Sequence, residues 1–84
     1  MSRKKFNYEY TIYTVPDEEI YRKQCEAIER YIPDLRKEKE LHDVDDSRIQ
    51  IYWHGKNEIR VLNDYYIGGV FVESDFDLIP FFDK

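Results

Sequence analysis

Closely spaced carboxylates occur in the segment LHDVDDSRIQIYWHG, at residues 41–55, and such groups can bind metal ions. The three carboxylates belong to Asp43, Asp45 and Asp46. A calcium loop of the EF-hand type that began at Asp43 would require glycine at its sixth position and glutamate at its twelfth. Those positions hold Arg48 and His54, so the segment is not an EF-hand.

The same segment has the composition of a turn. Asp and Ser side chains favour turns because they hydrogen-bond to nearby backbone groups. The sequence therefore predicts a turn at residues 43–47 between two extended segments. Two histidines and one cysteine in the whole chain are poor material for a transition-metal site, and we expect neither a metal nor another cofactor.

Other residue types that catalyse reactions occur in settings that do not favour catalysis. Cys25, the only cysteine, falls on the apolar face of a predicted helix, where a thiol is more often a small buried side chain than a nucleophile. No serine lies in a GxSxG motif, and phosphate-binding glycine motifs are absent. Asp75 and Asp77 could act as an acid–base pair only in a cleft, for which 84 residues leave little room. We expect that the protein is not an enzyme.

The first part of the chain predicts a strand followed by a helix. Apolar and polar residues alternate in FNYEYTIYTV, which is the period of a half-buried strand, and Pro16 should end it. The next segment has acidic residues where a helix begins and an apolar stripe at helical spacing. The stripe consists of Tyr21, Cys25, Ile28, Ile32 and Leu35. Pro33 should end or kink the helix, because proline removes a hydrogen-bond donor and disfavours helical geometry in the residue before it.

The rest of the chain predicts mainly strands. Residues 34–44 could form a short helix or a charged edge strand, of which we favour the strand. Ile49, Ile51 and Trp53 alternate with other residues in the next strand; GKN then predicts a turn, EIRVL a strand, ND a turn, and YYIGGVFVE a final strand. The two adjacent glycines in that last strand indicate a bulge or a close approach of the backbone.

Together these elements predict an α+β fold in which one long amphipathic helix packs on a four- to five-stranded, mainly antiparallel sheet. The expected order is strand, helix, an optional strand and three further strands, in a single domain that spans residues 1–84. Residues 1–5 contain three cations and should form a flexible basic arm.

Composition predicts a folded, acidic protein. A hydrophobic content of 42% with 17% aromatic residues is too high for a disordered chain. The single cysteine permits no internal disulfide, as is usual in a reducing compartment. No apolar run approaches the roughly 18 residues of a membrane helix, and no signal peptide follows MSRKK. We expect a soluble cytoplasmic protein that does not bind a membrane.

Eight tyrosines, five phenylalanines and one tryptophan are more rings than one helix can cover on a small sheet. The helix is expected to cover the sheet face that carries Ile49, Ile51 and Trp53. The opposite face should then carry a second apolar set, namely Tyr13, Tyr52, Leu62, Ile67 and Phe71. Alternatively, the phenylalanine-rich C-terminal segment folds back and covers that face, and the sequence leaves both arrangements open.

An exposed aromatic sheet can bind single-stranded nucleic acid, but such proteins add a basic track for the phosphates. The net charge of −5 and the absence of an RNP-like motif predict no direct nucleic-acid binding. Carboxylates in DEE, DVDD and ESDFD could instead bind the Lys and Arg groups of a basic protein, with tyrosines as anchors. This use of negative charge is similar in style to toxin-immunity proteins and phage-encoded nucleic-acid mimics.

The sequence thus predicts a non-catalytic inhibitor that occupies the basic surface of a nuclease or DNA-binding protein. The predicted partner-binding residues are Tyr13, Asp43, Asp45, Asp46, Tyr52, His54, Glu73, Asp75 and Asp77. The alternative is a homo-oligomeric structural or regulatory domain, such as a homodimer, that pairs through an exposed aromatic face of the sheet.

Overall fold

The computed structural model describes residues 5–82, which form an antiparallel sheet with a helix against one face. The elements are β1 (Tyr8–Tyr13), α1 (Glu18–Tyr31), β2 (Arg36–Lys37), β3 (Leu41–His42), β4 (Arg48–His54), β5 (Asn57–Asp64), β6 (Gly69–Ser74) and α2 (Ile79–Phe82). The strand order is β1-β6-β5-β4-β2, and β3 also pairs with β4. The fold is α+β, as predicted, but the sheet has six strands rather than four or five. The predicted basic arm lies outside the described residues except for Lys5.

Helix α1 begins at the acidic residues and ends before Pro33, as predicted, but Leu35 of the predicted stripe lies beyond its end. Asp17 is the N-cap, and its carboxylate accepts a hydrogen bond from the Ile20 amide at 2.9 Å. Ile32, directly before Pro33, is the C-cap, and its amide donates to the Ile28 carbonyl. Within the 14 helical residues, the buried side chains are Tyr21, Cys25 and Ile28. Neither helix in residues 5–82 has the length and apolar character needed to cross a bilayer.

The ambiguous stretch at residues 34–44 is extended, as favoured, but it forms two strands of two residues each. Strands β2 and β3 both pair with β4, and the Glu38 amide between them donates to the Ile51 carbonyl at 3.0 Å. Gln50 adds a side-chain hydrogen bond to the Glu38 carbonyl at 2.5 Å. A short, interrupted and charged edge of this kind discourages pairing with other chains.

The prediction of which side of β4 contacts the helix is wrong, whereas Leu62 and Phe71 lie opposite the helix, as expected. Tyr52 is fully buried on the helix side, opposite Ile59, whereas Ile49, Ile51 and Trp53 are partly exposed on the other face. The core consists of Tyr21, Cys25, Ile28, Ile32, Tyr52, Ile59, Val61, Val70, Val72 and Leu78. Alternation places two sets of residues on opposite faces, but it does not say which set is inward when both sets are apolar.

The C-terminal segment packs on the helix side of the sheet. Leu78 is part of the core, and Phe76, Phe81 and Phe82 pack against it. The ring of Phe82 lies 5.4 Å from that of Tyr31 at the end of α1, measured between centroids. The alternative in which this segment covers the opposite face is therefore wrong, because the segment closes the core that the helix already covers.

The last turn lies two residues later than predicted. Asn63 and Asp64 belong to β5, and residues 65–68 form the turn. The Asp64 carboxylate accepts hydrogen bonds from the amides of Tyr66 and Ile67 at 2.8 and 2.9 Å, and the Gly68 amide donates to the Asp64 carbonyl. Through these hydrogen bonds, Asp64 stabilises a turn that contains the large side chains of Tyr65, Tyr66 and Ile67.

The predicted close approach at the glycine pair is confirmed for Gly69, the first residue of β6. A Cβ atom there would lie 2.7 Å from Cζ of Phe71 and 2.8 Å from the carbonyl oxygen of Tyr13. The neighbouring strand β1 has a register irregularity at the same level, between Thr11 and Tyr13. The missing side chain therefore lets β1 and β6 meet closely where β1 is irregular.

Candidate protein-binding surface

The acidic segment at residues 43–47 is a turn, as predicted. The Asp43 amide donates to the Ser47 carbonyl at 2.8 Å, and the Asp43 and Asp45 carboxylates accept from the amides of Val44 and Ser47 at 2.7 and 3.0 Å. The bonds from Ser47 hold the pKa of the Asp45 carboxyl below its ordinary value. Asp46 has a φ of 70°, a conformation that Asp and Asn adopt more readily than other side chains.

Three chain segments meet at this end of the sheet. The Tyr65 amide donates to the Ser47 hydroxyl at 2.9 Å, which joins the two turns. The Asp17 amide donates to the side-chain oxygen of Asn63 at 3.0 Å, which attaches the start of α1 to the end of β5. We call this region, made of residues 17–19, 43–47 and 64–68, the acidic end.

The acidic end carries a concentration of negative charge. Its carboxylates are those of Asp17, Glu18, Glu19, Asp43, Asp45, Asp46 and Asp64, and no lysine or arginine occurs within its three segments. Three cations of the described chain adjoin it. The Arg48 guanidinium lies 3.3 Å from the Glu18 carboxylate and 3.4 Å from that of Glu40, Arg22 lies 3.8 Å from Glu18, and Lys23 lies 3.3 Å from Glu19. His42 lies 3.3 Å from Asp46. The negative potential of this end is therefore only partly offset by nearby positive groups.

Large apolar side chains lie exposed among these carboxylates. Val44 is fully exposed at the tip of its turn, and Tyr66 is 90% exposed at the tip of the other. Ile67, Tyr65 and Leu41 are also exposed. Isolated apolar side chains are common on surfaces, but a group of them among charges of one sign is typical of a contact region.

Apolar side chains continue onto the sheet face opposite the helix, where Leu41 is exposed, Ile49 and Phe71 are half-buried and Leu62 is buried. Four side chains lie directly across from one another on successive strands: Leu41, Ile49, Leu62 and Phe71. We call these four residues the apolar row. Two open grooves of about 360 and 230 Å³ adjoin it, and both are lined by Leu62 and Asp64. The apolar row thus forms the floor, and the turns at residues 43–47 and 64–68 form one rim, of a single surface, whereas residues 17–19 lie on the helix side of the sheet.

A charged cluster covers the half of the same face that is distant from the acidic end. The Arg60 guanidinium lies 5.1 Å from the centroid of the Phe6 ring, and its Nε atom is 2.5 Å from the Glu58 carboxylate. Glu73, which is buried, lies opposite Arg60 in the strand register. The accessible apolar area is therefore confined to the half of the face that adjoins the acidic end.

The predicted site residues divide between the two ends of the sheet. Asp43, Asp45 and Asp46 are together at the acidic end. Tyr13 lies at the same end, but on β1, three strands away from β4. Tyr52 was predicted to be exposed, and it is instead buried against the helix, where its hydroxyl donates to the Glu29 carboxylate at 2.6 Å.

Of the remaining predicted residues, Glu73 lines the smaller groove, whereas Asp75, Asp77 and His54 lie away from this surface and serve internal contacts. The Asp75 carboxylate accepts a hydrogen bond from the Glu58 amide at 2.8 Å, and that of Asp77 accepts one from the Tyr10 hydroxyl at 2.9 Å. The His54 ring packs against Phe76 at 5.3 Å between centroids. Glu73 belongs to the Arg60 cluster. Of the three acidic motifs, DEE and DVDD meet in space, whereas ESDFD does not join them.

Sequence reasoning missed several residues of the surface. Val44, Asp64, Tyr65 and Tyr66 were not selected, although two tyrosines and an isoleucine directly after Asn-Asp are an unusual composition for a turn. This composition indicates a turn with exposed apolar side chains. The turn was not predicted because YYIGGVFVE as a whole has the pattern of a strand.

Burial raises the pKa of the Cys25 thiol to about 11, which keeps it protonated and unreactive at neutral pH. Within residues 5–82, no group of three or more His, Cys, Asp or Glu side chains is arranged to hold a metal ion. Comparison with known proteins gives no family model, no curated relative and no solved structure that matches.

Proposed function

We propose that this protein is a non-catalytic cytoplasmic module that binds a basic protein through the acidic end, and that it inhibits a nuclease or DNA-binding protein. One observation supports the proposal: two turns that carry carboxylates, at residues 43–47 and 64–68, are joined and expose apolar side chains among these charges. Interfaces combine a desolvated apolar centre with a polar rim, and here the rim is negative.

The sign of the charge defines the class of partner. Nucleic acids and anionic membranes are repelled by such a surface, because their phosphates carry the same charge. The neighbouring cations, Arg22, Lys23 and Arg48, are already engaged by Glu18, Glu19 and Glu40. A protein surface that normally binds phosphates offers Lys and Arg groups of the opposite sign, and this supports the inhibitory role.

The two parts of the surface contribute differently to binding. Carboxylates steer a cationic partner and accelerate association, and this effect weakens as salt shortens the Debye length to about 8 Å at physiological ionic strength. Tyr66 and Val44 lose exposed apolar area on contact, which slows dissociation and depends little on salt. Binding should therefore be weakened, but not abolished, by moderate salt.

The test removes charge without disturbing the turn. Asparagine retains the oxygen that accepts from Val44 and Ser47, and it tolerates the positive φ at position 46. The variant D43N/D45N/D46N should therefore fold normally and carry three fewer negative charges. Immobilised wild-type protein should retain basic nucleic-acid-binding proteins from a lysate of its host at low salt, and the variant should retain markedly less.

A matched control neutralises three exposed carboxylates outside the acidic end. Asn suits Asp34, which also has a positive φ of 59°, and Gln at position 38 keeps an acceptor for the Trp53 indole. The control variant is E26Q/D34N/E38Q. Equal retention by all three proteins at low salt would contradict the proposal, because the carboxylates of the acidic end would then not contribute to binding. An equal loss in the variant and the control would also contradict it, because net charge alone would then explain the retention.

A second candidate function is favoured by the apolar row. Four apolar side chains on the face opposite the helix could pair two copies, as a homo-oligomeric domain would. Leu41→Glu changes an exposed member of the row, whereas a change at Tyr52 would disturb the core. A salt-independent dimer that this substitution dissociates, observed by light scattering, would favour the second function over the first.

A further inference from the structure

The two edges of the sheet differ in how open they are. At one edge, β2 and β3 are two residues each, with an interruption between them. At the other edge, β1 is a six-residue strand with one charged residue, Glu9, and no proline. Among residues 5–82, β1 pairs only with β6. Backbone groups along its outer side are therefore open to another strand, and this edge lacks most of the devices that prevent such pairing.

We propose that two copies of this chain pair antiparallel through β1, so that the sheet continues across a two-fold axis. In this arrangement Tyr10 lies opposite its own copy, Glu9 lies opposite Thr11 of the partner, and Tyr8 lies opposite Ile12 of the partner. Each residue then meets one of the same parity, so both helices stay on one side of the extended sheet. Such isologous pairing is the usual form of a dimer.

The proposed register avoids the unfavourable pairings of several alternatives. A shift by one residue would pair opposite faces, and the two cores would then lie on different sides of the sheet. A shift by two residues in one direction would place Glu9 opposite Glu9 of the partner, which is unfavourable. In the proposed register, Glu9 meets the uncharged Thr11 twice, and no like charges are opposed.

Apolar side chains beside the edge support the same partner. Tyr8 and Ile12 are 40% and 37% exposed on the helix side of β1, and Ile79 of α2 is also exposed there. An open groove of about 260 Å³ lies alongside, lined by Tyr10, Ile12 and Ile79 among others. The partner's Tyr8 would cover Ile12, so the backbone pairing and the apolar contact coincide.

The dimer is independent of the acidic end. Strand β1 is at the opposite edge of the sheet from β3 and the turn at residues 43–47, so both copies keep their acidic turns accessible. The irregularity between Thr11 and Tyr13 shortens the regular part of the edge. We therefore expect a weak dimer, populated between about 10 μM and 1 mM.

A matched pair of substitutions at Thr11 tests the register. Thr11→Lys places a cation opposite Glu9 of the partner, and Thr11→Glu places a like charge there. Each variant creates two symmetry-related pairs, each of which changes Kd by about 1.4- to 5-fold, so the dimer Kd should fall about 2- to 30-fold with Lys and rise by a similar factor with Glu. Sedimentation equilibrium measures all three constants, and circular dichroism verifies that the exposed substitutions leave the fold intact.

Two further measurements complete the test. Amide exchange in β1 should slow as the wild-type concentration rises, and Leu41→Glu, on the apolar row, should leave Kd unchanged. A protein that is monomeric up to about 1 mM, or a dimer whose Kd is equal in the Lys and Glu variants, would overturn the proposal. Should the Glu variant fail to fold, tightening by the Lys variant still decides the question.

Discussion

Removing the Tyr52 hydroxyl should destabilise the protein by about 1–2 kcal/mol at pH 7 and by less at pH 3. The side chain is fully buried, and its hydroxyl donates to the Glu29 carboxylate at 2.6 Å. A hydrogen bond to a charged group contributes about 1.5–3 kcal/mol when shielded from water. We take the lower part of that range because the Glu29 side chain is 41% exposed and solvent screens its charge.

The dependence on pH follows from Glu29. The hydrogen bond from Tyr52 is the largest cause that holds the pKa of Glu29 below its ordinary value, and Lys37, at 3.1 Å, lowers it further. A lowered pKa in the folded state contributes stability above the unfolded-state pKa, and that stability is lost as the pH falls through the folded-state pKa. Tyr52→Phe moves the pKa of Glu29 back towards its ordinary value, so the variant loses less stability on acidification than the wild type.

Urea unfolding followed by circular dichroism at pH 7 and pH 3 measures the effect. Tyr66→Phe is the matched control, because that side chain is 90% exposed and its change should shift the free energy of unfolding by less than about 0.5 kcal/mol. An equal cost of Tyr52→Phe at both pH values would refute the reasoning about Glu29. A cost no larger than that of the control would refute the burial of the hydroxyl itself.

Two further predictions concern the packing. Gly69→Ala should cost about 1–3 kcal/mol in urea unfolding, because the added methyl group would meet Phe71 and the Tyr13 carbonyl, whereas Gly55→Asn, where no atom lies within 4 Å and φ is +64°, should cost less. The reverse order would contradict the close approach of β1 and β6. The Cys25 thiol, with its pKa raised to about 11, should react with a disulfide reagent at pH 8 only as fast as the protein opens. Rapid modification at a rate independent of urea would show that the packing of the helix on the sheet does not shield the thiol.

Local signals predicted most of the elements. The apolar stripe from Tyr21 to Ile32, the acidic first turn and Pro33 placed α1 correctly, because caps and periodicity are encoded within one segment. The turn at residues 43–47 was predicted from the same kind of local information, namely Asp side chains that bond to adjacent amides. The prediction that residues 34–44 form a strand depended on their charge, which is typical of an edge strand. The structure divides this edge into two short strands.

Tertiary relationships could not be predicted in the same way. In β4, both the set with Ile51 and the set with Tyr52 are apolar enough to face a helix, and the choice depends on Ile59 and the helix packing against it. The meeting of the helix start with the turns requires the bond from the Asp17 amide to Asn63, 46 positions away. No local sequence pattern predicts such a contact. The composition therefore indicated acidic segments, but it could not show that they lie together on one surface.

Competition with duplex DNA tests most directly whether the acidic end occupies the nucleic-acid-binding surface of a basic protein. A captured partner is held on the immobilised wild-type protein, and increasing amounts of DNA are added at constant salt. We expect the DNA to release the partner in proportion to its affinity for that partner, and D43N/D45N/D46N to require much less DNA for the same release. A partner that remains bound in excess DNA, and that binds the variant as tightly as the wild type, would contradict the proposed function.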